Sequence, residues 1–124
     1  MLLNYIYNSN EFLECNLNSC QCLLLSFYVT SETSFEEMKQ SYQRIKSLHN
    51  LQYVPIVVCG GECESGQYKR VRKISKEEGE SFAESIDSVY VEYDGFYQIN
   101  IDEVYIKMIE MIQATDYLLN HRLL

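Results

Sequence analysis

The sequence predicts an α/β fold, a parallel sheet of about four strands with flanking helices, because short apolar runs alternate along it with longer amphipathic runs. Apolar residues make up 47% of the 124 residues, which is enough to bury one compact core. Neither an internal repeat nor a low-complexity segment divides the chain. We therefore expect residues 1–124 to form a single domain.

Four short apolar runs are the predicted strands. They lie at residues 2–7, 22–29, 56–59 and 89–93. The second run, C-L-L-L-S-F-Y-V, is almost continuously apolar, which is typical of a parallel strand covered on both faces. Gly60 and Gly61 follow the third run directly, and we expect them to end that strand.

Three helices are predicted, each from a pair of side chains that could cap its first turn. The pairs are Ser34 with Glu37, Ser75 with Glu78, and Asn100 with Glu103. The inward-facing positions are Phe35, Met38, Tyr42, Ile45 and Leu48 in the first helix and Phe82, Ala83 and Ile86 in the second. The final helix, about residues 101–119, is apolar over more than half of its circumference. Its outer flank either faces solvent or packs against another surface.

The chain is acidic, with a net charge of −8. An acidic surface repels phosphate backbones and anionic lipids, so neither nucleic acid nor a bare membrane is an expected partner. No run is long enough to span a bilayer, the N-terminus has no basic signal-peptide start, and the C-terminus has no prenylation cysteine. We expect a cytoplasmic protein with no direct membrane anchor. The basic residues 69–73 are expected to form a solvated loop, with docking of an acidic partner as the alternative.

The cysteines are odd in number, which indicates reduced thiols. They are Cys15, Cys20, Cys22, Cys59 and Cys63. Their spacings are not those of zinc knuckles, and the two groups would fall at opposite ends of a parallel sheet. We therefore predict no metal site. A zinc or redox role is the alternative, and zinc analysis would test it.

Four stretches of the sequence resemble the second half of a Ras-type small GTPase. They are L-L-L-S-F-Y-V and T-S-F-E-E-M at 23–29 and 33–38, V-P-I-V-V-C-G at 54–60, S-K-E-E-G-E-S-F-A at 75–83, and Y-V-E at 90–92. They occur in that family's order. The resemblance implies a truncated Ras-like fold that lacks the strand and helix of the phosphate loop. Residues 2–7 resemble the family's third strand more weakly, which would place its D-T-A-G-Q switch region near residues 8–11.

The phosphate-binding motif of that family, G-x-x-x-x-G-K-[ST], has no match in the first half of the chain. The first glycine is Gly60 and the first basic residue is Lys39, so no loop of this type can form there. No catalytic residue is predicted, and neither GTP or GDP nor magnesium is an expected cofactor.

The guanine-binding boxes of the family, N-K-x-D and S-A-K, fall on altered residues here. The vestigial positions are Gly61, Glu62, Glu64, Asp94, Gly95 and Phe96. The resemblance implies that the base-binding amide is lost at Gly61, that the charge is reversed at Glu62, and that both lysines are gone. Only the backbone N–H at Gly95 and a carboxylate at Glu64, on a longer side chain, could remain.

We therefore expect a Ras-like protein without GTP binding or hydrolysis, acting as a protein-interaction or regulatory module in small-GTPase-type signalling. The alternative is a truncated or mis-started fragment of a functional GTPase whose phosphate loop lies upstream; only then would the intact protein be an enzyme. A protein partner or a homo-oligomer is expected, because the missing central strand would leave the strand at 22–29 unpaired on one side. Residues 2–7 could instead move into that place.

Overall fold

The structure, a computed structural model, describes residues 22–62, 71–95 and 97–121. It contains three strands, β1 (Leu23–Tyr28), β2 (Ile56–Glu62) and β3 (Val89–Asp94), and three helices, α1 (Glu32–Leu48), α2 (Lys76–Ser85) and α3 (Ile101–Asn120). Within the described ranges the strands form one parallel sheet in the order β1-β2-β3. The predicted α/β class is confirmed. The predicted strand at 2–7 lies outside the described residues.

The sheet is covered by helices on both faces, which explains why its strands are almost continuously apolar. On one face, alternate residues of β1 pack with α1 and α2. They are Leu23, Leu25 and Phe27. On the other face, Cys22, Val57 and Cys59 pack against α3 through Val104, Met108 and Ile112. Ser26 is the polar exception within β1, and only 3% of it is exposed.

The start of α1 differs from the prediction. Ser31 is the N-cap, and its hydroxyl accepts a hydrogen bond from the Ser34 N–H at 3.1 Å. The predicted cap, Ser34, lies inside the first turn, where its hydroxyl accepts from the Tyr28 N–H at 2.9 Å and so joins the helix to the end of β1. The expected inward residues are buried, except Leu48, which is 55% exposed on the last turn of the helix.

The capping box predicted for α2 is confirmed. The Ser75 hydroxyl accepts from the Glu78 N–H at 3.1 Å, and the Glu78 carboxylate accepts from the Ser75 N–H at 3.4 Å. Ala83 is fully buried, while Phe82 and Ile86 are partly buried against the same core.

The predicted cap of α3 is confirmed in position but not in its hydrogen bond, since Asn100 is the N-cap residue. Asn100 has a left-handed backbone, with φ of 63°, and makes no side-chain cap. Its amide instead donates to the Glu92 carbonyl at 3.1 Å, so this side chain ties the start of α3 to β3. Among the described helices, none combines the length and the apolar character that crossing a bilayer requires.

The glycine pair at 60–61 does not end β2, contrary to the prediction. Both glycines are paired in the ladder, and the strand continues to Glu62. Gly60 lies between Phe27 and Glu92, and Gly61 occupies the next position in the same central strand. Glycine normally weakens a strand, so its presence here points to a close approach by a neighbouring group.

Candidate functional site

The predicted guanine-box positions meet at the carboxyl ends of β2 and β3, the edge where ligands bind in open α/β sheets. Glu62 pairs with Asp94 in register, and the Gly95 N–H donates to the Glu62 carbonyl at 2.7 Å. Gly61 lies one position earlier in β2. The structure thus brings together four of the six positions. The other two, Glu64 and Phe96, lie outside the described residues.

The ring of Tyr93 lies directly over Gly61. The two residues are partners in the β2–β3 ladder, and a Cβ atom on Gly61 would lie 2.7 Å from both the Cζ and the phenolic oxygen of Tyr93. No described glycine has a positive φ, so glycine is needed at this position for space and not for backbone conformation. Any side chain at position 61 must displace the Tyr93 ring.

A second tyrosine fills the space beside Gly60. The phenol of Tyr90 lies against Gly60 and also against Gly79 of α2, so a Cβ atom at either glycine would collide with it. The Tyr90 ring stacks with Phe27 at a centroid distance of 6.1 Å. The two glycines of β2 therefore make room for two tyrosine rings of β3.

An ion pair fixes the middle of this edge. Both terminal nitrogens of Arg72 bond the Glu92 carboxylate, one of them at 3.2 Å, and the Arg72 Nε donates to the Ile74 carbonyl at 2.6 Å. The Tyr90 hydroxyl donates to the same carboxylate at 2.7 Å. The pair holds the segment that precedes α2 against β3.

The titration of these groups follows from their contacts. Partial burial opposes ionisation of Glu92, but hydrogen bonds from Arg72 and Tyr90 outweigh it and lower the pKa of this carboxyl below its ordinary value. Burial, followed by the hydrogen bond to Glu92, raises the pKa of Tyr90. The pKa of Arg72 is raised, chiefly by its hydrogen bond to Glu92. At neutral pH Glu92 is therefore ionised, and its charge is balanced by Arg72.

The loop after β3 uses its polar groups internally. The Asp94 carboxylate accepts from the Tyr97 N–H at 3.0 Å, and Asp94 exchanges two backbone hydrogen bonds with Ile99, at 2.9 and 3.0 Å. The Gly95 N–H, the one backbone donor that the family's second guanine box could have kept, is directed to Glu62. A base brought to this edge would have to break contacts that the protein already makes.

The charges at this edge are mostly negative among the described residues. Glu62 and Asp94 lie side by side, and the guanidinium nearest to them in this network is held by Glu92. Among the residues that the structure describes, no cluster of three or more metal-ligand side chains occurs. The described residues of this edge bond mainly with one another and carry negative charge.

Sequence reasoning found the positions of this edge but missed the residues that fill it. The roles of Tyr90 and Tyr93 could have been inferred from the pattern of two glycines in one predicted strand and large aromatic residues in the next, since side chains of neighbouring strands pack against one another. Arg72 was visible only as one member of the basic cluster at 69–73.

The fold and this edge define an α/β protein with helices on both faces of a parallel sheet. The model of the Ras family matches residues 9–114, and the chain belongs to the Ras family. It is 30% identical over 90 residues to Ras-like protein 1 of Saccharomyces cerevisiae, covering 73% of this chain and 28% of that protein. It is 31% identical over 90 residues to a Ras-like protein of Laccaria bicolor, and the match covers 73% of this chain and 42% of that protein. It is 29% identical over 95 residues to Ras-like protein rasB of Dictyostelium discoideum, and the match covers 77% of this chain and 47% of that protein. The chain spans less than half the length of each of these relatives.

Proposed function

We propose that this Ras-family chain neither binds nor hydrolyses GTP, and that it acts by binding protein, either a second copy of itself or another protein. The observation that carries the proposal is the Tyr93 ring over Gly61. That ring lies at the position from which the family's guanine box would present its amide.

The energetic loss is large compared with the affinity of a nucleotide. A hydrogen bond to a charged group contributes roughly 1.5–3 kcal/mol, and binding at about 1 μM amounts to roughly 8 kcal/mol. Gly61 offers no amide, Glu62 carries the opposite charge to the lysine, and the Gly95 N–H is already bonded. Loss of two or three such contacts alone would weaken micromolar binding to the millimolar range.

A titration with fluorescent GDP and GTP analogues, with and without magnesium, tests the first half of the proposal. We expect no saturable signal up to about 1 mM, which corresponds to roughly 4 kcal/mol. Asp94→Ala and the matched variant Asp102→Ala, on the exposed first turn of α3, should both behave like the wild type. Magnesium-dependent binding that Asp94→Ala abolishes and Asp102→Ala preserves would refute the proposal.

The second half is supported by exposed apolar side chains along α3. Tyr105 and Ile106 are 48% and 46% exposed, and Tyr117 and Leu119 are 55% and 46% exposed. Together they leave one helix with an unusual amount of apolar surface in solvent. With a net charge of −8, the rest of the surface disfavours nonspecific association. We infer that α3 provides the contact with a protein partner.

Sedimentation velocity at tens of micromolar tests self-association through this helix. We expect a concentration-dependent shift for the wild type that Ile106→Ser removes. Val71→Ser is the matched control, because Val71 is also an exposed aliphatic residue, at 74%, but lies before α2. A monomer at every concentration that also binds no hydrophobic dye would contradict this form of the proposal.

A second candidate is a piece of a longer Ras-family GTPase with its phosphate loop upstream. The short span relative to the matched relatives favours it. The residues at 61 and 62 count against it, because a shortened chain would keep the guanine box that lies within it. A G-x-x-x-x-G-K-[ST] motif in frame upstream, together with nucleotide binding by the longer chain, would support this candidate.

A further inference from the structure

A cavity of about 190 Å³ lies on the α3 face of the sheet, between β1, β2 and the first two turns of α3. The sheet contributes Leu24, Ser26 and Cys59 to its wall. The helix contributes Val104, Tyr105 and Met108. Tyr93, whose ring lies over Gly61, also lines this cavity, so the cavity adjoins the guanine-box edge, but the proposed function makes no use of the space itself.

Ser26 gives this cavity a buried polar atom. Side chains alternate along β1, so Cys22, Leu24 and Ser26 share the face that looks toward α3, while their neighbours pack on α1. Ser26 is 3% exposed, and its hydroxyl has no hydrogen-bond partner among the described residues. A buried hydroxyl without a partner is rare and unfavourable, and it is the kind of group that a ligand satisfies.

The rest of the wall is uncharged and mainly apolar, with the phenols of Tyr93 and Tyr105 as its other polar side chains. Burial, and then the neighbouring Cys22 thiol, raise the pKa of Cys59 to about 12, so it stays a neutral thiol. Cys59 is also the ladder partner of Ser26, so the thiol and the hydroxyl lie side by side. Tyr105 is 48% exposed, and Leu24 is only partly buried, so the cavity is not sealed from solvent.

We propose that this cavity binds a small, uncharged, mainly apolar molecule with one hydrogen-bonding group, about the size of phenol, and that the Ser26 hydroxyl is its polar contact. The volume fits that size, because an apolar protein cavity of about 150 Å³ accepts benzene. A hydroxyl both donates and accepts, so the ligand group can do either. A charged group is excluded, because no opposite charge lines the described wall to offset its desolvation.

The test uses benzene and phenol as probes, which differ by one hydroxyl. Each is titrated into the 124-residue chain while backbone amide chemical shifts are followed by NMR. Both probes should bind the wild type in saturable fashion, with the largest shifts in β1 and in the first two turns of α3. Ser26→Ala should weaken phenol binding about tenfold, the loss of one hydrogen bond, and change benzene binding less than twofold.

Ser85→Ala is the matched control, because it removes a hydroxyl from the exposed surface of α2. It should change the affinity for neither probe. The proposal is overturned if neither probe binds the wild type, if Ser26→Ala leaves phenol affinity within twofold, or if it weakens both probes equally. Amide shift dispersion matching the wild type verifies that each variant is folded before it is titrated.

Discussion

The contact between Gly61 and Tyr93 makes a quantitative prediction for Gly61→Ala. The added methyl group would lie 2.7 Å from two atoms of the ring and 3.1 Å from a third, so the ring must move. Overpacking of this kind costs about 2 kcal/mol. Alanine also restricts the unfolded chain, which stabilises the protein by about 0.7 kcal/mol where the backbone permits it, as it does here. We therefore expect a net loss of about 1 kcal/mol.

A double-mutant cycle isolates the contact. In a Tyr93→Ala background the methyl group meets no ring, so Gly61→Ala should stabilise by about 0.7 kcal/mol, and the coupling energy should be about 2 kcal/mol. Urea unfolding of the four proteins, followed by far-UV circular dichroism, gives each free energy of unfolding. Equal effects of Gly61→Ala in both backgrounds would show that the Tyr93 ring does not occupy this space.

Three further substitutions test other parts of the fold. Glu92→Gln should cost about 1 kcal/mol at pH 7, discounted because Arg72 is partly exposed. Since the folded-state pKa of Glu92 lies below its ordinary value, that cost should disappear as the pH falls through the folded-state pKa, and a cost that persists in strong acid would contradict the ion pair. Ser75→Ala should lower the free energy of unfolding by about 1 kcal/mol, because it removes the capping box of α2. The control Ser85→Ala should lower it by less than 0.5 kcal/mol, and equal losses in the two variants would argue against the cap. Met108→Ala should cost about 2–5 kcal/mol in unfolding free energy, because Met108 is fully buried between α3 and the sheet, and a cost below 1 kcal/mol would mean that α3 is not packed there.

The elements that sequence reasoning placed well are those specified by local chemistry. The apolar run of β1 requires cover on both faces, and the Ser75–Glu78 pair satisfies its own backbone donors whatever surrounds it. Whether Ser31 or Ser34 caps α1 depends on a contact with β1, outside the helix. The end of β1 uses the Ser34 hydroxyl, and only the position of that strand end shows which serine is free to cap.

The misjudged part of the candidate site depended on contacts between strands. A glycine pair normally interrupts a strand, and nothing local to residues 60–61 shows that two rings from β3 need their space. The alignment of motifs found where a guanine site would lie, because the motifs follow one another along this chain in the family's order. It could not show that Tyr93 fills the site or that the Gly95 N–H is bonded within it, since both follow from three-dimensional packing.

The central claim is that the guanine-recognition edge of this Ras-family chain is filled by its own residues. The most direct measurement is an amide NMR titration with GDP and magnesium up to about 1 mM, observed at Gly61, Glu62 and Gly95. We expect these three signals not to move, because Tyr93 covers Gly61 and the Gly95 N–H already donates to the Glu62 carbonyl at 2.7 Å. Saturable shifts centred on these three amides would contradict it and would mean that the edge opens to admit the base.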